Sequence, residues 1–594
     1  MSDTRSSWVL LPILAVTAWM FVTGVGWGLP SPDADLFLFG DRSPWSGEEI
    51  LAHAPPPPDD PTRGADVAAD PIVDRDRPVC VNCTDRQRAE ILRRYRLASY
   101  QPDEMVTFMA LASMEPGRGR LDPKLYQYGG LWIYPIGAML KGASLAGVVT
   151  LTPDMTFYLD NPDQFGRFYI IARLYAAGWG VIGAMVVFWI TRRLAGGCMI
   201  TAGAAALCYA FLPVVVNMAH EAKPHLPGAV LMLLAVAAAM RYLETGLRRW
   251  WFAMACACGA AAGMVLTAWP AFVAVPMAVI LRETAWRPIL RLTAGGIGVG
   301  VSIYLVTNPY VSINLLVNPA VLQSNLANTM AMFDPSRFGH GVVNALRLIL
   351  DGASLGPMAV GLAASGWFAW NGFTLLWAGP GDRSAEALTR QYQGTLLALL
   401  AGTVFLQFCA LGADQPPEYA RFGLFPVISL TIGAFVALRA WILSPRPHVI
   451  ATGILIAVTS VSGLSYVAGF VRDSQPPTSR LLTAAKLEEL RQAGARSLGI
   501  LAEPAPYVLP PVDLFGWQIV LLPREPDAVI LAEMDVLVRP WGIGPFEAEG
   551  FDFDDPSFER RWGLRRTPIS WADKPFQIIV QGAHVPRGIV PEEP

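Results

Sequence analysis

Charge is what this chain has least of. Only 16% of its 594 residues are Asp, Glu, Lys or Arg, against 53% hydrophobic, and its mean hydropathy is +0.39. A soluble domain carries about 25% charged residues, so an ordinary soluble enzyme is excluded. Basic tracts are missing too, and with a formal net charge of −3 nothing points to nucleic acid as a partner. Histidine is limited to six residues and cysteine to seven. Cys198, Cys208, Cys256, Cys258 and Cys409 sit in apolar segments, where Cys behaves as a small hydrophobe. Cys80 and Cys83 form a CxxC in a polar stretch, with no second CxxC or nearby His pair to complete the four ligands of a structural zinc site. A local disulfide, favoured outside the cytoplasm, and two unpaired thiols remain the readings. A glycine-rich phosphate loop and a sustained internal repeat are also lacking. No clean A-x-A cleavage site follows the first apolar run, which carries the bulky Trp19, Phe21 and Trp27 and reads as a retained helix, not a signal peptide.

What the chain has in quantity is apolar runs long enough to cross about 30 Å of hydrocarbon as helices. Spans are expected near 8–28, 168–191, 200–218, 225–243, 251–266, 268–282, 291–307, 352–378, 393–412, 422–443 and 447–470. The fold class is therefore a polytopic α-helical membrane protein with about eleven transmembrane helices. The pair 251–266 and 268–282 is one apolar run that Trp269-Pro270 is expected to break. With the N-terminus in the cytoplasm, Arg5, Arg192-Arg193, Arg241, Arg248-Arg249, Arg282, Arg287, Arg291, Arg383, Arg390 and Arg446 all fall on the inner side, as the positive-inside rule requires. The connections 29–167, 219–224, 308–351 and 413–421, and the tail after about Arg472, then face outward. Arg outnumbers Lys and Ala and Gly are abundant, which points to a bacterial source. The expectation is a bacterial inner membrane protein whose site faces the periplasm or exterior.

The outer loop 29–167 divides in two. Residues 52–79 are rich in Pro and Asp and read as an irregular excursion. Residues 84–114 have helical composition, and 125–149 opens with Tyr126, Tyr128, Trp132 and Tyr134, aromatics that favour the headgroup level. That stretch reads as a helix lying in the interface; a transmembrane helix is the alternative. The membrane pattern ends near residue 473. In 474–594, residues 479–494 have helical spacing, and 497–501, 518–522 and 527–531 look like short strands. A transmembrane domain, 1–473, and a small extracytoplasmic α/β domain, 474–594, are expected, the latter with a structural or acceptor-binding role.

Among polar residues, Asp103 and Glu104 in Gln101-Pro102-Asp103-Glu104 lead the candidates for chemistry. A carboxylate beside a membrane surface can serve a membrane-borne substrate as general base. Acids at a helix start can also simply satisfy its N-terminus. Asp122, before Pro123, is a second carboxylate or a turn residue.

These residues belong to an ordered set that resembles the GT-C superfamily of integral-membrane glycosyltransferases, especially its protein mannosyltransferase and lipid A aminoarabinose transferase branch. Gln101-Pro102-Asp103-Glu104 resembles the family's (H/Q)PDE motif in the first outer loop. The stretch Tyr128 to Gly137 resembles the small-residue and aromatic interfacial helix. Ala172-Arg173-Leu174-Tyr175-Ala176-Ala177, His220-Glu221-Ala222-Lys223-Pro224 and Glu418-Tyr419-Ala420-Arg421-Phe422 resemble three further motifs, in order, over roughly residues 8–470. The resemblance implies a sugar donor on a polyprenyl phosphate, a lipid, glycan or protein acceptor, and attack with inversion. Asp103 would then be the base, assisted or oriented by Glu104. Arg173, His220, Lys223, Tyr419 and Arg421 would bind the lipid phosphate or sugar. Plainer readings are interfacial snorkelling for Arg173 and Arg421 and a cross-linked turn for His220 and Lys223. Asp33 and Asp35 resemble the acid site of other branches and are the alternative base or a weak divalent-cation site; no other cofactor or metal is expected. The acidic-Lys-Pro motif of the aminoarabinose branch is replaced by Tyr126-Gln127-Tyr128. A Lys common after the fifth span is missing, with Ala268-Trp269-Pro270 in its region. Donor and acceptor identity therefore stay open. A lipid-linked glycan transporter and a non-catalytic envelope scaffold are the competing classes; charges gathered on the outer rim favour the enzyme over a transporter, whose ionisable groups lie deep in its spans.

Overall fold

A computed structural model describes residues 3–56, 60–62, 64, 77–378, 385–412, 417–500, 505–506, 509–523, 530, 533–540, 559–562 and 578–582. Most of the expected excursion at 52–79 therefore lies outside the described residues, as does most of the chain after 540.

Among the described residues six helices are long and apolar enough to cross a membrane: Pro162–Leu194, His225–Thr245, Trp286–Thr307, Ala385–Cys409, Tyr419–Trp441 and Pro445–Arg472. The pair Met199–Phe211 and Pro213–Ala219 is bent by 61° and makes a seventh if taken as one span. The other expected spans fall on shorter or broken apolar helices, among them Trp8–Val22, Leu266–Arg282 and Leu355–Phe368. The protein is thus a helical integral membrane protein; among the described residues six to seven such spans qualify by length and composition, against the eleven expected. Burial sorts them. The apolar windows of His225–Thr245 and Tyr419–Trp441 are 83% and 89% buried, whereas that of Trp286–Thr307 is only 17% buried. The first two are central; the last presents Ile297, Val301 and Val306 outward, as a lipid-facing helix must.

The break in the run 248–282 lies earlier than the proline predicts. The helix Arg248–Met264 ends at Val265, Pro270 sits within a 3-10 stretch, Leu266–Val273, and the α-helix resumes at Ala274–Arg282. The cause is tertiary. The outer-loop segment around Tyr128 pairs with Val265 in an antiparallel bridge. The Gly129 amide donates to the Met264 carbonyl (3.0 Å) and the Leu266 amide to the Gln127 carbonyl (2.9 Å). Backbone groups freed at the helix end thus find partners in the loop. Such an approach needs residues without a side chain. A Cβ on Gly129 would stand 2.0 Å from the Gly263 carbonyl oxygen, and one on Gly130 only 1.9 Å from that of Thr307. The Gly130 amide instead donates to Oδ1 of Asn308 (2.7 Å).

Gly130 opens the helix Gly130–Leu145 expected at the interface. Its 16 residues give about 24 Å at 1.5 Å per residue, short of a crossing. Trp132, fully buried, ties it down by donating from Nε1 to Oγ1 of Thr107 (3.0 Å).

Two helices of the outer loop, Asp85–Leu97 and Glu104–Ala112, and the tail helix Ser479–Gln492 lie where the pattern places them. The strands form one mixed sheet in the order β1-β3-β2-β4-β6-β5. They are β1 (Val79–Cys80), β2 (Ser497–Ile500), β3 (Gln518–Leu521), β4 (Val536–Pro540), β5 (Glu559–Trp562) and β6 (Ile578–Gly582). The central pairings of β2 with β3 and with β4 are parallel. The strand expected at 527–531 lies mostly outside the described residues; its described member, Ile530, is helical. The edge strand β1 comes from the outer loop and pairs antiparallel with β3 (Val79 opposite Leu521). Cys80 and Cys83 form a disulfide beside it. Asn82 stitches the junction, donating to the Leu514 and Trp517 carbonyls (2.9 and 2.8 Å) and accepting from the Ile519 amide (2.9 Å).

Gly130→Ala should therefore destabilise the protein by about 1–3 kcal/mol, the usual cost of overpacking, read as a lowered melting temperature in detergent. Gly142→Ala in the same helix has nothing within 4 Å of the new Cβ and should leave the melting temperature unchanged or slightly raised.

Candidate functional site

The Pro102-Asp103 turn leads into the helix Glu104–Ala112 at its N-terminus, yet Asp103 makes no side-chain capping hydrogen bond. Its neighbour Glu104 points inward. The Glu104 carboxylate is fully buried and accepts from Nε and Nη2 of Arg173 (2.8 and 2.6 Å), the Ala222 amide (2.6 Å) and the Ser99 hydroxyl (2.5 Å). Arg173, equally buried, spends its remaining donor nitrogen, Nη1, on the Val25 and Trp27 carbonyls (2.8 and 2.7 Å) and lies over the Trp27 ring (4.9 Å). Both groups are saturated. The geometry makes Arg173 a tie between four chain segments and not the phosphate contact that the resemblance implies.

His220 is enclosed in the same way. Its ring stacks on Phe470 at 4.2 Å, and its Nδ1 and Nε2 meet the Val216 and Thr23 carbonyls at 2.7 and 2.9 Å. Burial pushes its pKa down to about 4, against the two carbonyls, which favour the protonated ring. His220 fixes the turn that carries Lys223 and is not placed to donate to a substrate.

Asp103 faces the other way. Its side chain is 34% exposed, and its Oδ2 is met by Nζ of Lys223 at 3.0 Å and Nη2 of Arg421 at 3.2 Å. Nζ of Lys223 also lies 3.0 Å from Oε2 of Glu221, whose Oε1 accepts from Asn217 (2.8 Å). Two carboxylates thus balance two cations at one end of the two most buried spans. Burial works against the charge on Asp103, but Lys223 and then Arg421 outweigh it and hold the carboxyl well below the usual range. Burial likewise opposes the charge on Lys223, and Asp103 and Glu221 reverse the balance, keeping it protonated. For Glu221 burial prevails over Lys223 and raises the carboxyl.

Aromatic rings wall this cluster. His225 meets Tyr128 edge-on at 6.0 Å and Phe422 at 5.3 Å. The Arg421 guanidinium lies over the rings of Tyr419 (5.0 Å) and Phe422 (5.3 Å). Beyond His225 and Arg421 opens a narrow cleft of about 40 Å³, mostly apolar, with Phe333, Phe408 and Phe425 in its walls. Arg421 is shared between this apolar cleft and the Asp103 cluster, so a guanidinium joins an apolar lining to the charged group.

The structure thus brings together Asp103, Lys223, Tyr419 and Arg421. It holds Glu104, Arg173 and His220 behind them as buried supports. Asp33 and Asp35 are elsewhere. Asp35 is gripped by Arg96 through two bonds (3.2 and 2.7 Å); burial raises its pKa despite that partner. Asp33 closes a local turn with the Ser31 hydroxyl (2.7 Å). Neither contacts the Asp103 cluster in any recorded bond. Among the described residues no group of three or more His, Cys, Asp or Glu side chains is placed to hold a metal ion. Asp122 is a turn residue: its carboxylate accepts from the Lys124 amide, the Tyr126 hydroxyl and Asn314. Sequence reasoning passed over Glu221, His225 and Tyr128 as functional groups. Two histidines, a Glu and a Lys within the six residues 220–225, between apolar runs, are the signal for the first two. For Tyr128 none exists, because only the Val265 bridge brings it in.

Glu104→Gln should cost about 3–5 kcal/mol, the range for breaking a buried ion pair, measured by denaturation in detergent. Arg173→Met should cost a similar amount, and the double variant clearly less than the sum.

Neither family models nor curated proteins match the sequence. Among solved structures, the chain is similar to ArnT from Cupriavidus metallidurans bound to undecaprenyl phosphate, at 13% identity and a TM-score of 0.43 over 98% of this chain and 99% of that one. It is also similar to the Archaeoglobus fulgidus oligosaccharyltransferase in complex with Zn and sulfate, at 10% identity and a TM-score of 0.34 over 70% of this chain. It spans 61% of that oligosaccharyltransferase's length. These are loose likenesses, and the functional reading rests on the site.

Proposed function

We propose that the protein is a membrane glycosyltransferase that moves a sugar from a polyprenyl-phosphate-linked donor to an acceptor hydroxyl outside the cytoplasm, with inversion. The observation that carries this reading is the half-open carboxylate of Asp103, clamped by Lys223 and Arg421, the latter also lining an apolar cleft. The order of motifs resembling GT-C enzymes supports it. In the reaction, the acceptor oxygen forms a bond to the anomeric carbon while its proton passes to Asp103. The bond from that carbon to the phosphate oxygen breaks, and the electron pair leaves with the lipid phosphate. Lys223 and Arg421 neutralise the charge that develops there, as preorganised cations do in a water-poor site.

The clamp also bears on the timing of proton transfer. Held between two cations, Asp103 is ionised but a weak base. A donor phosphate drawing Lys223 and Arg421 toward itself removes the charges that depress the carboxyl, and Asp103 then gains basicity when substrate is present. Glu221, behind Lys223, keeps the cation in place meanwhile.

The reading is tested by incubating purified protein with polyprenyl-phosphate-linked sugars and a membrane extract as acceptor source, and measuring released polyprenyl phosphate. Asp103→Asn should lower release by about 10²–10⁴-fold, the usual worth of a positioned base. Undiminished release in that variant discards the base assignment; no release with any donor favours a transporter or scaffold.

The pH profile gives a second check. Because Lys223 and Arg421 hold Asp103 below its usual value of 3.8, the donor-free enzyme should show no acid limb from this group in kcat/KM above about pH 4. Arg421→Gln removes one cation, so the Asp103 pKa should rise and the acid limb move to higher pH, alongside a lower rate.

A further inference from the structure

A large cavity lies at the far end of the helices that carry the Asp103 site. The helix Pro162–Leu194 bears Arg173 toward one end and Arg192-Arg193 in its last turn. The helix His225–Thr245 starts two residues after Lys223 and ends next to Glu244. Some 20 residues at 1.5 Å each separate the two levels by about 30 Å, one hydrocarbon thickness. Between these helices and their neighbours opens a recess of about 1480 Å³, above the roughly 300–1,000 Å³ of a small-molecule pocket.

Its chemistry is two-sided. Arg192, Arg193, Arg241 and Arg390 line it together with Glu244 and Glu386, leaving two positive charges in excess. Glu244 is engaged by Arg193, Arg241 (2.9 Å) and the buried Gln393 (2.9 Å), and Glu386 by Arg390 (2.7 Å). Half-buried Arg192 has no acidic partner among the described residues. Trp250, also in the wall, keeps an Nε1 donor that is shielded from solvent and has no hydrogen-bond partner. Above this rim the lining turns apolar, with Ile182, Met185, Leu234 and Ala237. From Arg192 back to Ile182 is about 15 Å along the helix, half the hydrocarbon thickness.

A cationic rim opening into an apolar slot one leaflet deep fits one kind of occupant. We propose that this cavity binds an anionic glycerophospholipid of the leaflet opposite the Asp103 site. Its phosphate sits against Arg192 and the Trp250 indole, and an acyl chain lies along Ile182 and Leu234. It is separate from the proposed donor site, from which it stands a membrane's thickness away, and does not depend on that reading.

Native mass spectrometry of the purified full-length protein, offered equimolar phosphatidylglycerol and phosphatidylcholine in detergent, tests this. Phosphatidylglycerol should be retained about tenfold or more in preference. Arg192→Gln and Arg390→Gln should each lower the preference about fivefold, as expected for one cation near an anionic headgroup. Lys141→Gln, an exposed basic residue of the interfacial helix, should not. Arg192 and Arg390 hold no fully buried ion pair, so both variants should keep the wild-type melting temperature. Ala237→Phe, which fills the slot without changing charge, should lower retention of the lipid and gives a second reading if an arginine variant misfolds. Equal retention of both lipids, a preference untouched by all three cavity variants, or displacement of phosphatidylglycerol by equimolar inorganic phosphate overturns the proposal.

Discussion

The carboxylate of Glu104 is the point on which the half of the molecule around Asp103 depends. Burying an ion pair costs several kcal/mol per charge unless every remaining lone pair and proton finds a partner. Here that condition is met: Arg173, Ala222 and Ser99 fill the carboxylate, and Arg173 passes the connection on to Val25 and Trp27. Trp27 in turn donates to the His220 carbonyl (2.9 Å). One anion therefore fixes the end of the first helix, the 99–104 turn, the helix Pro162–Leu194 and the 220–224 turn with respect to each other. Such a network is all or nothing, since a partly satisfied one in low dielectric is worse than none.

The neighbouring acid uses that rigidity. With Glu104 sealed inward, Asp103 turns the other way, toward Lys223 and Arg421. Those cations arrive from turns more than 100 and 300 residues further along the chain, yet both meet one carboxylate oxygen. The open group can change partners because the closed one does not. Two adjacent carboxylates thus have opposite environments and suit opposite tasks, one holding the frame and one exchanging charge with whatever enters.

Part of this was legible in the sequence. Low charge and long apolar runs define a helical membrane protein, and the Gln101 to Glu104, His220 to Pro224 and Glu418 to Phe422 stretches mark the turns that converge. Their order along the chain could not say which charged residues are sealed. Arg173 looked like a phosphate ligand and His220 like a donor because both are polar groups near a rim; their burial depends on Glu104, Thr23 and Phe470, which are distant in sequence. The helix break was assigned to Pro270, a local signal, but a loop pairing with Val265 placed it earlier. Asp33 and Asp35 looked like a second acid site until Ser31 and Arg96 engaged them. In each case the residue type was readable, and what decided its role was a partner supplied by tertiary packing.

The edge strand β1 sets an order on events during synthesis. Val79 pairs with Leu521, and Tyr95, at the other end of the following segment, donates its hydroxyl to the Leu509 carbonyl (2.7 Å). The loop that leads into Asp103 therefore waits for partners more than 400 residues downstream. At about 5–20 residues per second the ribosome takes roughly 20–90 s to deliver them. For that interval the spans can already be inserted while the approach to the site has no sheet to rest on. A segment made late thus completes a loop made early, and a nascent protein has its membrane core before it has the sheet that the loop joins.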